Sequence, residues 1–395
     1  MSHPTALLGE IAEVAAGGGA PQNADSFTAE GTPFIRAGSL NPLVNGASES
    51  TLEHLTDEVA KEHGLRKFPR DTVVFAKSGM SATKGHVYRL RNEAYVVNHL
   101  AAIIPTQRVV PEFLEHSLRV FSPVRLIQDA AYPSVRLSDV ATMKIPLPPL
   151  AEQRRIAEVL DRAEALRAKR RAALAQLDAL TQSLFLDLFG DPATNPKRWP
   201  VRRLIELIID GPQNGLYKPS TDYGSGTPIL RIDAFYDGAV TDISALKRVR
   251  LAEDERNKFR LTEDDVVINR VNSLEYLGKC ALIPKLPEKA VFESNMMRMR
   301  FDPKTTQPRF VVQFLQTGFV KSQIQMCAKH AVNQASINQQ DVSGFRVNLP
   351  PLPLQREFTR RVTAVESLKT AQRAALAELD ALFATLQHRA FRGEL

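Results

Sequence analysis

The 395-residue sequence predicts an α+β chain: two similar, loop-rich domains separated by a long antiparallel two-helix coiled coil, the whole a pseudo-twofold internal repeat. Three observations lead there. "IPLPPLAEQRRIAEVLD" from Ile145 is answered by "VNLPPLPLQREFTRRVT" from Val347, so that Leu147, Pro148, Pro149, Leu150, Gln153 and Arg154 return 202 residues later. Both stretches run on without a gap into Ala/Leu-rich segments, "ALAQLDALTQSLFLDLF" from Ala173 and "ALAELDALFATLQHRAF" from Ala375. Elsewhere, apolar runs rich in Val and Ile are punctuated by Gly, Pro and Asn, the composition of strands and turns. A duplication of this size sets the architecture before any single motif does.

Read in order, residues 1–146 form a first domain, 147–190 a first long helix, 191–348 a second domain and 349–395 a second long helix. Within the domains "TPFIRAGSL" from Thr32 resembles "TPILRIDAF" from Thr227, and "DTVVFAKSG" from Asp71 resembles "DDVVINRVN" from Asp264. Asn98 is placed opposite Asn295 at an offset of 197. "PEFLEHSL" and "PRFVVQFL" read as short helices opened by proline, and "SVRLSDV" from Ser134 answers "SINQQDV" from Ser336. "LLGEIAEV" from Leu7 also resembles "RLIELIID" from Arg203, so the second helix is expected to end where the first domain begins.

The helices are marked by position. A proline costs nothing in a first helical turn, and Glu152 favours the positive helix start. Apolar or small residues then recur at three and four: Ile156, Val159, Ala163, Leu166, Ala173, Leu177, Leu180, Leu184 and Leu188 in the first helix, and Phe358, Val362, Val365, Leu368, Ala375, Leu379, Leu382, Leu386 and Ala390 in the second, as in a coiled-coil seam. One slot is polar in both, Arg170 and Gln372. Either it specifies register or Arg170 snorkels at the seam's edge.

Composition is that of a folded chain, 44% hydrophobic and 24% charged, and no stretch approaches the ~18 apolar residues of a membrane span. A cytoplasmic protein is expected. The net charge of +7 is uneven: residues 1–150 carry 14 basic against 15 acidic side chains, and residues 201–350 carry 21 against 17. Phosphate attraction is therefore a weak basis for nucleic-acid binding by the first half. Cys280 and Cys327 lack partners at metal spacing and read as buried thiols. "GGGAP" and "GSGTP" lack the Lys-Ser/Thr of a phosphate loop, and neither a His-Glu-x-x-His nor a Gly-x-Ser-x-Gly elbow occurs. "NLPP" at Asn348 departs from the Asn-Pro-Pro-aromatic loop of DNA amino-methyltransferases. The chain reads as a binding protein with no catalytic residues and no metal site.

The repeated proline–glutamine motifs, the paired Ala/Leu helices, the "TPFIR" and "TPILR" strands and the terminal "AFRGEL" resemble, along the whole chain, the DNA-specificity (S) subunit of type I restriction-modification systems. The resemblance implies two target-recognition domains, each reading half of a bipartite asymmetric site in double-stranded DNA, with the helix pair setting the gap. It implies two methyltransferase (M) subunits using S-adenosylmethionine, restriction (R) subunits using ATP and Mg, a role in phage defence, and no cofactor on this chain. Leu354 departs from the family, standing where the first copy has Glu152. The recognition part of a methyltransferase enzyme and a coiled-coil DNA-binding regulator are the alternatives.

Base edges are read by Arg, Lys, Asn and Gln on protruding segments. "AKSGMSATKGH" offers Lys77, Ser78, Ser81, Thr83 and Lys84, and its counterpart "NRVNSLEYLGK" offers Asn269, Arg270, Asn272, Ser273, Tyr276 and Lys279. "GPQNGLYKPS" adds Gln213, Asn214, Tyr217 and Lys218. Tyr132, Arg136, Asn333 and Gln334 are candidates for backbone contacts, and Arg36 and Arg231 either serve the site or pair with an acid inside their domains.

Overall fold

Four helices organise the chain in the computed structural model, which describes residues 3–332 and 334–395. They are α1 (Pro111–Val120), α2 (Leu150–Phe189), α3 (Pro308–Leu315) and α4 (Leu352–Arg392). No helix among the described residues is long and apolar enough to cross a membrane. Asn333 lies outside the described residues. Two compact units emerge, and each takes part of both long helices: unit 1 is residues 1–173 with 372–395, and unit 2 is residues 174–371.

Unit 1 contains β1 (Ala12–Ala16), β2 (Thr32–Ile35), β3 (Val73–Ala76), β4 (Val87–Arg89), β5 (Ala94–Val96) and β6 (Leu100–Pro105). Its main sheet is antiparallel in the order β1-β6-β3-β4, and a second sheet carries the parallel pair β2 and β5. Alternation along a strand sends neighbouring side chains to opposite faces. Val73, Phe75, Ala101 and Ile103 thus pack with Phe113, Leu114 and Leu118 of α1. Val74, Ala76, Leu100 and Ala102 pack instead with Phe34, Ile35 and Tyr95 of the second sheet.

Unit 2 repeats the plan with β7 (Ile208–Asn214), β8 (Tyr223–Leu230), β9 (Val266–Asn269), β10 (Cys280–Leu282), β11 (Val291–Phe292) and β12 (Met296–Phe301). The order β7-β12-β9-β10 matches unit 1 strand for strand, and β8 and β11 form the same parallel pair. Two short strands, Gly238–Val240 and Phe235–Tyr236, extend this sheet beyond β10. Both units are closed by a ribbon where the chain enters and leaves, Thr5–Leu7 with Lys144–Pro146 and Val201–Arg203 with Arg346–Asn348. Gly17 and Gly215 hold the same place in the two plans, where an added Cβ would lie 2.0 Å from the Val96 carbonyl oxygen or 2.2 Å from that of Glu293.

The repeated glutamine has a structural purpose. Gln153 is buried; its Nε2 donates to the carbonyls of Pro148 (2.9 Å) and Arg108 (3.2 Å), and its Oε1 accepts from the Val110 N–H (2.8 Å). Gln355 does the same with Pro350 (2.8 Å), Thr305 (3.2 Å) and the Gln307 N–H (2.8 Å). One side chain therefore ties the start of a long helix to the loop that leads into α1 or α3. Phenylalanines reinforce the joint: Phe391 lies 5.4 Å from Phe113 in unit 1, and its repeat equivalent Phe189 lies 5.0 Å from Phe310 in unit 2. Such pairs add about 0.5–1.5 kcal/mol beyond the area they bury.

Within each unit the helix segments run antiparallel. In unit 1, Arg170 donates to Gln372 at 2.5 Å, so the two polar seam residues meet each other, and Arg167 pairs with Asp380 at 2.5 Å. In unit 2 the repeat equivalents of that ion pair, Lys369 and Asp178, meet at 2.7 Å. Near the chain ends His3 bonds the Ala390 carbonyl at 3.0 Å, as expected if the last helix ends at the first domain.

The seam corrects one expectation. Ile156, Ala163 and Val365 are buried and Leu177, Leu184, Leu379 and Leu386 are half-buried, but Leu166 is 52% exposed. Leu160, Arg167, Lys369 and Phe383 take inward positions beside them, because the 3-4 alternation runs from Ile156 through Leu160. Leu166, Leu180, Leu368 and Leu382 point outward instead.

Gln355→Ala strands buried donors and acceptors on two segments, which costs about 2–4 kcal/mol in all. Denaturant unfolding should show that loss; a change below about 0.5 kcal/mol would contradict the clamp.

Candidate nucleic-acid interface

In unit 1 four segments converge at one end of the sheet. The Lys77 N–H donates to the His99 carbonyl (2.9 Å), the Val135 N–H to the Lys77 carbonyl (2.8 Å) and the Gly79 N–H to the Pro133 carbonyl (2.9 Å). Ser78 Oγ lies 2.8 Å from His99 Nδ1, and the Val97 N–H bonds the carbonyl of Ile35, just before Arg36. Unit 2 repeats this wiring. The Arg270 N–H reaches the Asn295 carbonyl (2.8 Å), the Ile337 N–H that of Arg270 (2.9 Å), and the Glu293 N–H that of Leu230 (3.0 Å). These equivalences put His99 opposite Asn295, so Asn98 faces Ser294 and the offset here is 196. The expected Asn98–Asn295 match is one residue out, because a residue is gained between this turn and the following helix.

The scaffold is common and the side chains it presents are not. In unit 1, Lys84 and Thr83 are exposed and Lys77, Ser78 and Ser81 half-buried, on a 3-10 turn over Met80–Lys84 between β3 and β4. Thr83 spends its hydroxyl on the Met80 carbonyl at 2.9 Å. Tyr132 and Arg136 are exposed on the neighbouring segment. In unit 2, Asn214, Tyr217, Ser273 and Tyr276 are exposed and Asn272 is half-buried, its Oδ1 accepting from the Ser273 N–H at 2.8 Å. Gln334, exposed, opens the strand Gln334–Ser336.

Five predicted readers in unit 2 are wholly or partly committed inside the domain. Asn269 is fully buried in β9, on the face of Val267, because the strand runs one residue further than its loop-like composition implies. Its side-chain amide has no hydrogen-bond partner among the described residues. Lys279 donates to the Ile232 carbonyl at 2.6 Å and lies over the rings of Tyr236 (3.8 Å), Phe235 (4.8 Å) and Tyr276 (5.6 Å). Burial there lowers its pKa. Gln213 sits on a strand rather than a loop, donating to the Lys258 carbonyl (3.0 Å) and accepting from Arg298 (2.5 Å). Lys218 pairs with Glu255 at 2.8 Å, and Arg270 donates to the Ser294 carbonyl at 3.1 Å.

Arg36 is held by Glu53 at 2.7 Å and covers Phe27 and Phe34, so the internal-pairing reading applies to it. Arg231, its equivalent, stands 3.8 Å from both Asp233 and Glu293. Sequence reasoning missed His99 and Ser294, because the turn equivalence that singles them out is visible only in the backbone bonding, and Lys247, which the strand Lys247–Val249 brings beside Ile229. A trio that could offer metal ligands, His116, Asp161 and Glu164, lies at the junction of α1 with α2. Its members are already engaged, His116 hydrogen-bonded to Asp161 at 2.8 Å and Glu164 paired with Arg119 at 2.6 Å.

A twice-built sheet with a loop cluster at one end, joined to paired long helices, is the plan of a tandem recognition protein. The family described as Type I restriction modification DNA specificity domain matches residues 5–176 and again 196–379, and the chain belongs to it. It is 27% identical over 387 residues to the type I restriction enzyme EcoKI specificity subunit of Escherichia coli (strain K12), covering 92% of this chain and 82% of that one. The StySPI specificity subunit of Salmonella potsdam is likewise 27% identical, over 386 residues, with the same coverage. The fold matches the crystal structure of a type I restriction-modification S subunit from M. genitalium, with TM-score 0.60 and 14% identity over 98% of this chain and 96% of that one.

Lys279→Glu should destabilise the protein by about 1–3 kcal/mol, since it buries an anion among rings and strips the Ile232 carbonyl of its donor. Lys84→Glu, on an exposed turn, should stay within about 0.5 kcal/mol. Thermal unfolding of the pair checks this; equal effects would return Lys279 to the surface.

Proposed function

We propose that this chain is the sequence-reading component of a type I restriction-modification complex, one unit reading each half of a gapped, asymmetric site in double-stranded DNA. The observation that carries the reading is the shared backbone wiring around Lys77 and Arg270, which presents different side chains in the two units. Identical frames with different contacts fit two unlike half-sites.

Direct contact falls to Lys77, Ser78, Ser81, Lys84 and His99 in unit 1, and to Asn214, Tyr217, Asn272, Ser273 and Tyr276 in unit 2. The chain itself supplies recognition without catalysis. Methyl transfer from S-adenosylmethionine and ATP- and Mg-dependent cleavage belong to M and R partner subunits. Two M subunits dock on the helices, where each unit exposes leucines of both α2 and α4: Leu150, Leu166 and Leu382 in unit 1, and Leu180, Leu186 and Leu368 in unit 2. Arg154 and Arg356, retained in both repeats and exposed near the two helix starts, have no ion pair among the described residues. The helices set the gap between half-sites, and the complex serves phage defence in the cytoplasm of a prokaryotic cell.

Combining Ser81→Ala with Lys84→Ala should alter one half of the methylated motif and leave the other intact, since a good base contact contributes about 1–3 kcal/mol of discrimination. Methylation mapping of cells carrying the variant reads this out. Loss of specificity in both halves together would overturn the assignment of one reader per half-site.

A further inference from the structure

Unit 2 contains a cleft of about 410 Å³ beside its loop cluster, with Tyr217, Lys218, Arg231, Lys247, Glu293 and Ser294 in its lining. Its charges are unequal in what they have left to give. Lys218 is neutralised by Glu255. Glu293 is buried and accepts the Ile232 N–H at 2.6 Å, so it is occupied at the floor of the cleft. Arg231 makes no side-chain hydrogen bond among the described residues; its acids stand 3.8 Å away and its Nε is buried without a partner. Lys247 is exposed on the strand Lys247–Val249 and forms no ion pair among the described residues.

Unit 1 has no such arrangement. Arg36, the equivalent of Arg231, is bonded to Glu53, and Val97 stands where unit 2 has Glu293. Arg231, whose charge Asp233 and Glu293 balance from 3.8 Å, keeps its guanidinium N–H groups without a hydrogen bond, and Lys247 keeps its ammonium; with the Tyr217 and Ser294 hydroxyls and the Asn295 amide, unspent N–H and O–H donors are in surplus among the described residues. A phosphate, which only accepts and carries negative charge, takes up that surplus and faces both cations, as a neutral base edge does not.

We infer that this cleft clamps a DNA backbone phosphate through Arg231 and Lys247, with no counterpart in unit 1, so that the half-site under unit 2 carries more of the salt-dependent affinity. The inference rests on the reading of the two units as DNA readers.

The test is the affinity of the assembled complex for a duplex carrying its motif, and for an unrelated duplex, over a series of salt concentrations. Each phosphate contact removed flattens the plot of log K against log salt by about 0.9. The double variant Arg231→Gln/Lys247→Gln should therefore lose close to two in slope, weaken both duplexes equally and leave the motif unchanged. Arg231→Lys, which keeps the charge, should hold the slope, and Arg36→Gln should not move it. An unaltered slope in the double variant overturns the clamp, and so does relaxed choice at one base of the motif with the slope intact. If the unsubstituted complex prefers no gapped site at all, the reading of the units fails; if it does and only the variants are silent, the clamp alone fails.

Discussion

Everything in this chain depends on how a globular domain is fastened to the start of a long helix. The fastening is one buried glutamine, Gln153 or Gln355, bonding two carbonyls and one N–H across two segments. The preceding prolines supply a carbonyl that the helix does not use and a rigid approach to the first turn. Phe391 on Phe113 and Phe189 on Phe310 then bring the far end of the other long helix to the same joint. A reader held this way presents its loops from a fixed base, which recognition by base-edge contacts requires.

The two repeats have kept what packs and changed what faces outward. Strand order, parallel pair, closing ribbon and glutamine joint recur, whereas the segments after Ala76 and Asn269 have little in common. The interiors differ as well. Unit 1 joins α1 to α2 through polar contacts, the ion pair of Arg119 with Glu164 and the hydrogen bond of His116 with Asp161, while unit 2 uses an aromatic cluster of Phe185, Phe189, Phe310, Phe314 and Phe358. The same joint tolerates either chemistry because the glutamine carries its geometry.

Much of this was legible in the sequence, because duplication and heptad spacing are long-range patterns that no single residue can spoil. The helices and the pairing of strand segments follow from them. Finer placement was less accessible, for local reasons. Leu166 reads as a seam residue because a leucine suits either side of a 3-4 step, and only the facing Asp380 shows that Arg167 takes the inward place. Asn269 reads as a loop residue because asparagine is rare in strands, yet β9 extends through it. Lys279 is hidden by Phe235 and Tyr236, which lie more than forty residues away in a hairpin that unit 1 lacks. Contacts made by distant segments leave no local trace.

The proposed function requires that two unlike readers on one repeated frame specify one gapped site. A genome-wide, single-base map of methyladenine in cells with and without this gene tests it most directly. Deletion is expected to abolish methylation at one two-part motif with unlike halves and a fixed gap. Identical maps, in cells where the chain is expressed with its methyltransferase partners, would contradict it, as would loss of a continuous, ungapped motif.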